Sequence, residues 1–196
     1  ITLALSGWIA RQLIVAARRH KLLTWLDAGK ASWLASVLIA FNPKFVHLSS
    51  VINNDIAVAC MTSIACAWLL HIWPRAGRDA HWREAATAGV FSGLAGLCKL
   101  NGLAISGMLA WMLLGVARKR GWRAAVPLAL AAGAAFALTA GVWFGHNALT
   151  YGNPLAWAET RVAHRLEQRS LPLALIDVPG AAFEFVLSIW SQIGWL

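Results

Sequence analysis

Long apolar runs alternate with short arginine- and lysine-rich connectors along this 196-residue chain. Runs of that length belong in a bilayer, where no water satisfies backbone N–H and C=O groups. Only helices or a closed β-barrel can then span. A barrel needs two-residue alternation over strands of about ten residues. The stretch 126–141 is rich in Ala and Leu and shows none, so the spans are helical. Composition agrees: 59% of residues are hydrophobic and 13% charged, against about 25% charged in soluble domains. The expected fold is all-α, a polytopic transmembrane helical bundle in a single domain.

A helix crossing the hydrocarbon core needs about 20 residues. The runs place spans at about 2–17, 31–52, 56–73, 85–98, 102–117 and 124–148, six in all. A segment at 149–179 follows, and an apolar stretch over 180–196 is a seventh span cut short. The chain starts at Ile1 without a methionine and ends at Leu196 within that stretch, so it reads as a fragment of a longer protein. Pro43 is expected to kink the second helix, and Pro74 to end the third. Asp55 is placed to cap the start of the third. Gly89, Gly93 and Gly96 line the fourth with small residues, which permits close helix contact. At 14 residues that helix is only about 21 Å long, so the turn after it, Lys99-Leu100-Asn101, is expected to lie in a recess.

The net charge of +9 would suit a nucleic-acid binder, but its placement argues otherwise. Three connectors hold Arg18, Arg19, Lys21 and Lys30; Arg75, Arg78 and Arg83; and Arg118, Lys119, Arg120 and Arg123, 11 of the 17 Lys and Arg. They fall at alternate connections, so all can face the cytoplasm together. The remaining connections then face outward. The 12 tryptophans lie largely near span ends, as an interfacial belt requires. The expected location is the inner (plasma) membrane, with membrane lipids as partners and no nucleic acid. Cys60, Cys66 and Cys98 sit in or at the end of apolar runs with neither metal-site nor disulfide spacing. They read as small buried hydrophobes.

The outward face collects Asp55, Lys99, Asn101, His146, Asn147, Tyr151 and Asn153, with Trp190 and Trp195 further on. An ionisable group near a membrane is costly unless paired or wetted, so each is a functional candidate. Two readings of Asp55 and Lys99 stand. They form a polar pocket that holds an anionic substrate beside a carboxylate, or Asp55 caps a helix while Lys99 snorkels. A histidine at a helix end, as His146 is, often acts only as a dipole partner, which is the alternative to a functional role there. Arg161, Arg165 and Arg169 recur every four residues, as on a surface helix. No metal-ligand spacing such as HExxH appears, nor a phosphate-cradling glycine loop.

Four segments together resemble a known family. Residues 42–55, the hairpin from Gly93 to Gly102, the stretch from Trp143 to Pro154 and the stretch from Ser188 to Trp195 are similar to motifs of bacterial family-39-like glycosyltransferases of the GT-C superfamily, and of related predicted membrane proteins. They occur in the family's order. The chain departs from the pattern at His146, where arginine is usual, and at Asn153, where aspartate is common. Ile189 and Ser191 replace phenylalanine and glycine. Neutral histidine lacks arginine's permanent charge and bidentate fork.

The resemblance implies a membrane glycosyltransferase that moves a sugar from a polyprenyl-phosphate carrier to a glycan, lipid or protein acceptor on the extracytoplasmic face. It implies a supporting acid at Asp55, with Lys99, Asn101, His146, Asn147, Tyr151 and Trp190 on the substrate. A divalent cation is possible in such enzymes. The family's main catalytic carboxylate lies in an earlier external loop, which would precede Ile1. Two other classes remain open on residues alone: a transporter or flippase, and a non-catalytic membrane assembly protein.

Overall fold

Each apolar run of the described chain becomes helix, because a helix satisfies its backbone internally where water is absent. The computed structural model describes residues 1–50 and 54–156. Asn53, the arginine repeat at 161–169, the segment with Trp190 and Trp195 and the apolar stretch from 180 lie outside the described residues. The order is α1 (Thr2–Arg19), α2 (Ala28–Ala40), α3 (Pro43–Ser50), α4 (Asn54–Asp79), α5 (Trp82–Cys98), a 3-10 turn (Leu100–Leu103), α6 (Ala104–Arg120) and α7 (Trp122–Tyr151). The all-helical expectation holds among the described residues. Three stretches are long and apolar enough to cross a membrane, Asn54–Asp79, Leu100–Arg120 and Trp122–Tyr151, and α2 is a shorter apolar helix.

Two expectations about proline are corrected. The run over 31–52 is not one helix kinked at Pro43. It breaks after Ala40, and Pro43 begins α3. The Asn42 side chain accepts a hydrogen bond from the Phe45 amide at 2.9 Å. Asn42 is thus an N-cap, and Pro43 occupies the first helical position, where its missing N–H costs nothing. Pro74, expected to end the third helix, lies inside α4, which continues to Asp79. Ile72 and Ala76 on either side of it are buried in the core. Their packing carries the helix past the lost hydrogen bond.

A core of α4, α5, α6 and α7 is built from Ala65, Leu69, Ile72, Ala88, Leu109, Val116, Leu128 and Ala132, among others. The glycine stripe does what its spacing implied. A Cβ on Gly89 would overlap the Ala132 carbonyl of α7, and one on Gly93 would come within 2.9 Å of Thr139. Without these side chains, α5 and α7 meet backbone to backbone.

α1 and α2 pair around a second, smaller cluster, and α1 also packs against α4. Ser36 donates to the Leu3 carbonyl at 3.0 Å, and Ile14 packs with Ala28 and Ala31. In the connector, Arg18 reaches the Leu26 carbonyl at 2.6 Å, and Asp27 caps α2. The Lys30 amide, foremost, and then the Gly29 amide hold the Asp27 carboxyl below its ordinary range.

The second and third basic connectors converge. A Cβ on Gly77, near the end of α4, would lie 2.7 Å from the Lys119 side chain, near the end of α6. Arg75 pairs with Glu84 at 2.7 Å across the connector between α4 and α5. This is the basic end of the bundle. The start of α4, the end of α5 and the end of α7 lie at the other.

Candidate functional site

The backbone at the end of α5 is arranged so that Lys99 points back across the bundle. Lys99 leaves the helix in extended geometry, with φ −164° and ψ 146°. Its carbonyl accepts from the Gly102 amide at 2.8 Å, closing the 3-10 turn. Gly102 is pressed onto both neighbours. A Cβ there would overlap the Ala95 carbonyl of α5 and lie 3.0 Å from Val58 of α4. The turn is therefore pinned over α4, and the Lys99 ammonium donates to Asp55 Oδ1. Asp55 is not the helix cap that the sequence suggested. It lies in the first turn of α4 and forms an ion pair 44 residues along the chain.

Helix dipoles favour both charges, the carboxylate at a helix start and the ammonium at a helix end. The two side chains remain 32% and 40% exposed. An ion pair that wet contributes about 1 kcal/mol or less to stability. Its worth lies in what the charges can do: an exposed ammonium can turn to a phosphate oxygen, and a carboxylate can accept from a sugar hydroxyl.

The remaining described candidates lie at the same end of the bundle. Asn101 stands exposed at the tip of the turn. α7 rises past the turn. Phe144 is level with Gly96, and the seven residues from Gly145 to Tyr151 extend the helix about 10 Å further. α5 spans 17 residues, Trp82–Cys98, rather than the 14 read from the sequence, and α7 stands as a wall beside the turn that follows it. His146 is exposed on the wall and tilts against Trp143, with ring centroids 6.4 Å apart. Tyr151, 46% exposed, is its last helical residue. Gly152 then takes the left-handed conformation, φ 67°, that ends a helix cheaply in glycine.

Asn147 is the exception among the candidates. It is 5% exposed, and its amide donates to the Pro154 carbonyl at 3.2 Å. Asn153 accepts from the Leu155 amide at 2.9 Å. These two asparagines shape the turn after α7. Sequence reading missed that use of Asn147. The signal available was Gly-Asn-Pro five residues on, a turn that needs a donor to hold it.

The Asp55 carboxylate faces an ammonium, and no three His, Cys, Asp or Glu side chains cluster among the described residues.

Residues 21–145 match the family described as dolichyl-phosphate-mannose-protein mannosyltransferase, more than half of the chain. The match includes Asp55, Lys99 and Asn101 and stops just short of His146. No curated protein and no solved structure matches the chain.

Proposed function

This chain belongs to the dolichyl-phosphate-mannose-protein mannosyltransferase family, a family of the GT-C superfamily of membrane glycosyltransferases with polyprenyl-phosphate sugar donors, and we propose that its sugar transfer takes place at the end of the bundle that carries Asp55 and Lys99. The observation that supports this reading is the ion pair itself. A partly exposed ammonium and carboxylate lie at the end opposite the second and third basic connectors, which puts them on the extracytoplasmic side if arginine and lysine stay inside.

The proposed reaction is a single displacement. An acceptor hydroxyl or amine attacks the anomeric carbon from the face opposite the carrier, inverting it. The bond to the phosphate oxygen breaks, and the polyprenyl phosphate leaves with the electron pair. A carboxylate takes the acceptor's proton. Lys99 meets the negative charge that grows on the departing phosphate. Charge stabilisation of this kind acts mainly in the transition state. Asp55 is the positioning residue that holds Lys99 in reach. His146 and Tyr151 line the wall beside the donor, and Asn101 lies at the acceptor's side of the tip. Asn147 fixes the turn that ends the wall.

Asp55→Asn in the intact protein tests the positioning role. Sugar transfer measured with a polyprenyl-phosphate sugar should fall about tenfold in kcat with little change in KM, since about 1.4 kcal/mol of transition-state stabilisation is lost. Asp55→Glu should recover part of the rate. Unchanged transfer in Asp55→Asn removes Asp55 from the site.

A further inference from the structure

α6 and α7 are joined by the single residue Gly121, so the crease between them opens directly at the basic end. Two cavities of about 270 Å³ each lie in that crease. Ala110, Leu113 and Ala129 line both, which makes them one groove. It runs from Trp122 to Phe136, about 21 Å at 1.5 Å per residue. One leaflet of hydrocarbon is about 15 Å deep, half the core. The apolar lining stops at its far end, where the buried hydroxyls of Ser92 and Ser106 face it.

The mouth of the groove has a different character. Trp122 lines it and is 66% exposed, as an interfacial anchor would be. Arg120 and Arg123 flank it, and neither forms an ion pair among the described residues. Arg118 is held over the Trp111 ring at 5.5 Å. An apolar channel long enough to span one leaflet and ending in unpaired cations matches one kind of molecule.

We propose that the α6/α7 groove binds an anionic glycerophospholipid, with an acyl chain along Leu113 and Ala129 and the phosphate between Arg120 and Arg123. A second copy of this chain is disfavoured as the occupant, because it would bring the same cations to the same end. The proposal is independent of the transfer reaction, whose groups lie at the opposite end.

Native mass spectrometry of the intact protein in detergent tests it, with dioleoyl phosphatidylglycerol and dioleoyl phosphatidylcholine at equal concentration. Two interfacial cations favour the anionic lipid by about 30-fold. The double variant R120Q/R123Q should bring that preference close to one. Ala129→Leu, which fills the groove from an exposed position, should lower retention of both lipids. Inorganic phosphate should not displace the bound phosphatidylglycerol. Equal retention of the two lipids, a preference that survives R120Q/R123Q, retention indifferent to Ala129→Leu, or displacement by inorganic phosphate would each overturn the proposal.

Discussion

Replacing Lys99 with methionine should lower kcat for sugar transfer by roughly 10²–10³-fold while the protein still folds. The size follows from the role proposed for the ammonium. One preorganised charge or donor aimed at a developing negative charge is worth a factor of that order in other active sites. The survival of the fold follows from exposure. With the partners 40% and 32% exposed, the pair contributes about 1 kcal/mol or less, too little to unfold a bundle whose core spans four helices. The two effects can be separated by measuring thermal stability and turnover on the same preparation. Lys99→Arg should retain part of the activity, because it keeps the charge but not the point geometry. If Lys99→Met lost activity only in step with folded protein, Lys99 would be structural. If turnover were intact, the ammonium would have no part in the reaction.

The second large effect concerns the helix seam. Gly89→Ala adds one methyl group, and that carbon would overlap the Ala132 carbonyl on α7. A carbonyl within a 30-residue helix cannot swing aside as a side-chain tip can. α5 must move away from α7 along its length, taking Gly93 and Gly96 out of contact. The expected loss is about 3 kcal/mol, at the upper end of the range for overfilled cores. Gly133→Ala is the matched control. A Cβ there meets nothing within 4 Å, and alanine is the better helix former. That variant should be neutral or gain roughly 0.5–1 kcal/mol. Thermal unfolding in detergent compares them directly. Equal stability of the two variants would mean that α5 and α7 do not touch at Gly89.

The seam was legible in the sequence because glycines four and three residues apart on an apolar helix have few other uses. The same holds for the basic connectors and the all-helical class, both of which rest on local runs. Lys99 and Asp55 could be placed at one end by counting connections. That they touch could not be read, since it depends on Gly102 pinning the turn over Val58. The two prolines were misjudged for a common reason. Proline's local effect is fixed, but its consequence depends on context. Asn42 turned Pro43 into a helix start, and buried Ile72 and Ala76 carried α4 through Pro74. The α6/α7 groove was invisible for another reason. Ala110 and Ala129 are unremarkable in a list of apolar residues and become a channel only when two helices diverge from Gly121.

Placing the reaction outside the cell depends on the two ends of the bundle lying on opposite sides of the membrane. Single cysteines at the exposed positions Asn101 and Arg120, in a background with Cys60, Cys66 and Cys98 replaced by alanine, can be treated with a membrane-impermeant maleimide in intact cells. The cysteine at 101 should label at once, and that at 120 only after the membrane is permeabilised. Labelling of 120 but not 101 in intact cells would put Asp55 and Lys99 on the cytoplasmic side and contradict the proposed site.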